Sequence, residues 1–148
     1  GDEIKPEKMP RLEVMRIVLP DGTNQKLKKL NLSKNKKLKD LELGNIVPPT
    51  LNLKNNTKLK SVKVYTGKSI RKEKARYTYY QPKKNMSCKI QFPKKNNIST
   101  LYYLVDNTSL DIRNLTNLEK RNQAGFEKIS TKIIGVASFQ RMVCIKRK

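Results

Sequence analysis

The chain has 148 residues, enough for one ordinary domain and too few for a second large one. Its 34 Lys and Arg outweigh 12 Asp and Glu, leaving a formal net charge of +22 that attracts polyanions without naming one. Histidine is absent and the two cysteines, Cys88 and Cys144, stand far apart, which excludes the usual zinc spacings and the His-dependent nucleophile triads; no apolar run approaches the roughly 18 residues of a membrane span.

The chain opens on Gly1 and a polar stretch from Asp2 to Pro10, a pattern left when a targeting segment has been removed, so export is expected. Leu12 to Leu19 is an apolar, β-branched run closed by Pro20-Asp21-Gly22, which predicts a strand and a turn acting as an N-terminal cap.

An internal repeat follows. Leu30, Leu32, Asn35, Leu38, Leu41 and Leu43 reappear 21 positions later as Leu51, Leu53, Asn56, Leu59, Val62 and Val64. Each unit also divides, because Leu27, Leu30 and Leu32 are followed by Leu38, Leu41 and Leu43 in the same L-x-x-L-x-L order. Leu-x-Leu alternation sends both leucines to one face of a strand, and a strand with one apolar face must stack on the next copy. The eight residues Leu30, Leu32, Leu41, Leu43, Leu51, Leu53, Val62 and Val64 are expected to be buried together, with residues 21 apart on adjacent parallel strands.

The segment LKKLNLSKNKKLKDLELGN resembles a leucine-rich repeat of the short 21-residue subclass, similar to those of secreted and surface-anchored bacterial proteins. That resemblance covers about 40 residues and implies a mainly β fold, a short solenoid with parallel strands and flanking cap strands. It also implies that Asn35 and Asn56 are ladder asparagines, buried and bonded to neighbouring backbone turns. Pro48 departs from the pattern by standing where Leu27 stands in the first copy, and Pro48-Pro49 cannot donate to a ladder.

Between Thr66 and Lys84 the apolar pattern lapses, and Arg71, Lys72, Lys74 and Arg76 gather with Tyr77, Tyr79 and Tyr80 in a basic loop. Strand alternation resumes at Met86, Cys88, Ile90 and Phe92 and again from Leu101 to Val105. Thr116-x-x-Glu119 reads as a capping box, and with Leu115 and Leu118 it predicts one short helix over 116–124, ended by Gly125. Two apolar stretches, Ile133 to Phe139 and Met142 to Ile145, close the chain. The whole reads as a single domain, 1–148: tail and cap strand (1–26), repeats (27–65), basic loop (66–85), further strands and a C-terminal cap (86–148).

Catalysis needs convergent groups, and the sequence offers neither a phosphate loop nor a His-based dyad; Asp40 and Glu42 read as a solvated outward pair beside Lys39 and Lys60. A non-catalytic binding module is therefore expected, without cofactor or metal, recognising a protein or glycan from an extracellular, periplasmic or cell-surface position. Its reading face is placed on the outward strand positions Lys29, Asn31, Ser33, Asn52 and Lys54, where the two copies become neighbours. The alternative reader is the basic loop, whose Lys, Arg and Tyr suit phosphate contact and base stacking in a nucleic acid or another polyanion. Cys88 and Cys144 are either two unconnected thiols or one disulfide. The sequons at Asn31, Asn55, Asn85, Asn97, Asn107 and Asn114 are read as chance and repeat composition and carry no information about the host.

Overall fold

The computed structural model describes residues 4–74, 76–106, 109–118, 132–134 and 144–146, with backbone alone for 77–80, 109, 132–134 and 144–146. The described residues are mainly β, with one 3-10 turn at Pro6–Lys8. The strands are β1 (Val14–Val18), β2 (Gln25–Lys26), β3 (Asp40–Gly44), β4 (Ile46–Val47), β5 (Thr50–Asn52), β6 (Ser61–Tyr65) and β7 (Lys68–Lys72). Then come β8 (Tyr77–Gln81), β9 (Lys89–Gln91), β10 (Thr100–Leu104), β11 (Ser109–Asp111), β12 (Lys132–Ile134) and β13 (Cys144–Lys146).

The longer strands form one sheet in the order β1-β3-β6-β10-β13, parallel except for β13, which runs antiparallel to β10. Parallel neighbours arise because the chain circles back after each strand and begins the next one beside it. The circuit from β3 to β6 puts Leu41 against Val62 and Leu43 against Val64, the expected offset of 21. Smaller parallel pairs occupy other sides of the same circuits: β2 with β4, β5 with β9, and β11 with β12. From β6 to β10 the offset grows to 39, because that circuit carries an antiparallel hairpin, β7 with β8.

All eight repeat positions are buried, and with Met15, Leu38, Leu59, Ile90, Leu101 and Tyr103 they belong to one continuous core. Leu41 and Val62 are wholly shielded, and burying such a side chain stabilises the fold by about 1.5–3 kcal/mol. The expected pairing of Leu30 with Leu51 on adjacent strands is corrected. Leu30 lies outside any strand, and Leu51 on β5 pairs with Ile90. The β2–β4 ladder stops at Lys26 and Val47, because Pro48 and Pro49 follow without an amide hydrogen to carry it on toward Leu30.

Asn35 and Asn56 are fully buried at the next corner. The Asn56 Nδ2 donates to the Leu32 and Asn35 carbonyls at 3.0 and 2.9 Å, stitching one circuit to the previous one. Asn35 does the same toward the Pro6 and Met9 carbonyls, both at 2.9 Å, so the N-terminal segment occupies the place of a preceding corner.

The segment Leu110 to Leu118 corrects a second expectation. Leu115 and Leu118 are not on a helix face: the Leu115 amide donates to the Ile112 carbonyl and the Leu118 amide to Leu115, the same corner that Asn35 and Leu38 make with Leu32 and Asn35. Thr116 and Asn117 form a turn, and the rest of the expected helix, 119–124, lies outside the described residues. Residues 135–143 of the two closing apolar stretches and the Cys144 side chain also lie outside them. Cys88 is a free, buried thiol.

Candidate binding surface

Alternation in the parallel sheet turns Leu41 and Leu43 to the core and Asp40 and Glu42 to the outside, and the register carries that division across four strands. Arg16, Glu42, Lys63 and Tyr102 thereby form one outward row, with Val14, Asp40, Ser61 and Thr100 on one side and Val18, Gly44 and Tyr65 on the other. The Arg16 guanidinium bonds the Asp40 carboxylate, which holds the arginine above its ordinary range chiefly through that hydrogen bond. The Tyr65 hydroxyl donates to Glu42 Oε2 at 2.6 Å, and its ring meets Tyr102 edge to face with centroids 5.5 Å apart.

Gly44 makes that placement possible, because a Cβ there would stand 2.5 Å from the Tyr65 hydroxyl. At the edge, Val14 and Val18 expose 48% and 53% of their surface, which leaves an apolar margin beside the polar row. The face thus balances two cations, Arg16 and Lys63, against two carboxylates, in a chain whose formal charge is +22. Asp40 and Glu42 are half-buried and bonded to Arg16 and Tyr65, not beside Lys39 and Lys60 as the sequence suggested; Lys39 instead pairs with Glu13 at 2.8 Å.

The chain matches no family model, no curated protein and no solved structure.

The residues singled out from sequence are distributed differently. Lys29 and Asn31 lie outside any strand and Ser33 and Lys54 stand in turns, while Asn52 ends β5, so these five do not make a strand face. Asn52 spends its side-chain oxygen on the Lys54 amide at 3.0 Å, as Asn31 does with Ser33. The basic loop is the β7–β8 hairpin. Arg71, Lys72, Lys74 and Arg76 are exposed on it, Arg71 pairs with Glu73 at 3.6 Å, and the register sets Tyr77, Tyr79 and Tyr80 opposite Lys72, Ile70 and Ser69. Among the described residues no three His, Cys, Asp or Glu side chains gather as metal ligands, and no helix is long and apolar enough to cross a membrane. Burial pushes the Cys88 thiol up to about 12, so it carries no nucleophilic thiolate at neutral pH.

Sequence reasoning placed Asp40 and Glu42 outward but did not assemble Arg16, Lys63, Tyr65 and Tyr102 around them. The signal was present in the repeat: Glu42 and Lys63 occupy the middle x of L-x-L at equivalent positions.

Proposed function

We propose that the protein is a non-catalytic leucine-rich-repeat binding module, a short solenoid that works outside the cytoplasm and recognises a protein or glycan on the outward face of its parallel sheet. The observation that carries this reading is the charge-balanced, aromatic-bearing row Arg16, Glu42, Lys63 and Tyr102 with Tyr65 packed beside it. A surface of net positive charge holds any polyanion, whereas paired charges and two tyrosines in fixed register discriminate among partners by geometry. Hydrogen-bonded strands hold these groups with little left to order on binding, which favours affinity per contact. The 21-residue register and the buried Asn35 and Asn56 corners support the repeat reading. The repeats that the sequence resembles support the exported setting.

The test is a screen of arrayed glycans and extracellular proteins with three variants: Lys63→Glu with Tyr102→Ser, Lys29→Glu with Lys54→Glu, and the hairpin with Arg71, Lys72, Lys74 and Arg76 changed to Gln. A partner bound by the wild type and lost only in the sheet-face variant is the expected result. Retention by that variant, with loss in either of the others, overturns the assignment.

A further inference from the structure

The corners that join the circuits repeat a lysine pattern that the sheet face does not use. Just before β3 and β6 the chain reads Lys37-Leu38-Lys39 and Lys58-Leu59-Lys60, with each leucine buried and each lysine exposed. These positions stack. The Lys60 amide donates to the Lys39 carbonyl at 2.8 Å, and the Lys39 amide donates to Glu13 at 2.7 Å. Lys39 therefore stands over Lys60, and Lys37 over Lys58, at about the 4.8 Å of adjacent strands. In the third circuit the row ends, because Ser99, whose amide donates to the Lys60 carbonyl at 2.9 Å, takes the place of Lys60, and Asn97 that of Lys58.

Like charges opposite one another on neighbouring strands destabilise a sheet. Glu13 relieves one end of the row only: its carboxyl is held below the usual range first by the hydrogen bond and charge of Lys39, then by the charges of Lys37 and Lys58. The corner segments 33–39 and 54–60 contain no acid and no aromatic residue, and between the lysines they offer Ser33, Asn55 and Thr57. Without a ring to stack on, such a grid gives a nucleic acid only phosphate contacts. A sugar polymer that carries anionic groups among hydroxyls is complementary to lysines interleaved with small hydrogen-bonding side chains.

We infer that the stacked corner lysines Lys37, Lys39, Lys58 and Lys60 form a second binding surface, separate from the outward sheet face, for a linear anionic polysaccharide running along the stacking direction.

Heparin is the probe, with single-stranded RNA and neutral dextran as comparisons, and affinity is read against salt. The full chain is compared with Lys37→Gln/Lys58→Gln/Lys60→Gln and with Arg71→Gln/Lys72→Gln/Lys74→Gln, which removes the same charge from the hairpin. The corner variant should lose heparin affinity by about tenfold or more and flatten the dependence of log affinity on log salt by about two, with the hairpin variant within about twofold of the wild type. Without polymer, the corner variant should also melt no lower than the wild type, because like-charge contacts have been removed. Equal losses in both variants overturn the inference in favour of net charge. RNA held as tightly as heparin and released by the same variant assigns the surface to nucleic acid, and a lower melting temperature overturns the argument from stacked charge.

Discussion

Gly67→Ala tests how tightly the hairpin is rooted in the circuit that carries it. Gly67 sits at φ +137°, a region that side-chain-bearing residues scarcely populate, and a Cβ there would lie 1.8 Å from the Gln81 carbonyl oxygen and 2.9 Å from the Pro82 Cα. Both neighbours are backbone, so no rotamer change relieves the contact. The conformational term is about 1–3 kcal/mol. Separating the strands adds the loss of the Gly67 amide donations to Asn24 Oδ1 at 2.8 Å and Asn45 Oδ1 at 3.0 Å, at about 1 kcal/mol each. A destabilisation of about 3–5 kcal/mol follows, or roughly 6–20 °C in melting temperature for a domain of this size. Gly22→Ala is the control: Gly22 also has positive φ, +82°, but its added Cβ meets only the Lys68 Cβ at 4.0 Å, leaving a conformational cost of about 1–2 kcal/mol. Urea unfolding of both variants with unchanged m-values gives the comparison. If Gly67→Ala costs no more than Gly22→Ala, the close approach of Gly67 to Gln81 is not what roots the hairpin.

Asn56→Ala should cost about 1–3 kcal/mol in the same unfolding assay, because it removes two buried hydrogen bonds, the side-chain donations to the Leu32 and Asn35 carbonyls that tie one circuit to the previous one. Asn35→Ala should instead release the segment around Pro6 and Met9, read as faster proteolysis there. Gly44→Ala should push Tyr65 away from Glu42, weakening any partner of the sheet face while costing under about 2 kcal/mol, measured by binding and melting together. Cys88 in the native protein should resist alkylation at pH 8, as peptide mapping would show. Its folded pKa of about 12 exceeds the ordinary 9.0, so the folded state holds the extra proton and stability falls as pH rises above about 9. Urea unfolding between pH 8 and 10.5 should show a shallower decline in Cys88→Ala than in the wild type.

Reading the chain alone was enough for the mainly β class, the 21-residue register of Leu41 with Val62 and Leu43 with Val64, and the burial of Asn35 and Asn56. Hydrophobic period fixes the class and the register, because an L-x-L segment that buries one face can keep it buried only in one register, while the burial of the two asparagines was implied by the resemblance to leucine-rich repeats. The same period misled at two places. Leu110-Asp111-Ile112-Arg113-Asn114-Leu115-Thr116-Asn117-Leu118 parallels Leu51 to Leu59, yet leucine replaces the corner asparagine and Thr116-x-x-Glu119 imitates a helix start. Spacing of three suits a corner as well as a helix face, and only parallel stacking reveals the corner. The Leu30-x-Leu32 alternation likewise promised a strand face at Lys29 and Asn31. There the β2–β4 ladder ends at Lys26 and Val47, because Pro48 and Pro49 have no amide hydrogen to continue it, a limit that shows only once the two copies are paired. The outward row Arg16, Glu42, Lys63 and Tyr102 and the stacked corner lysines depend on how circuits of unequal length come into register. The length of the β7–β8 insertion sets that register between β6 and β10, and no single segment carries it.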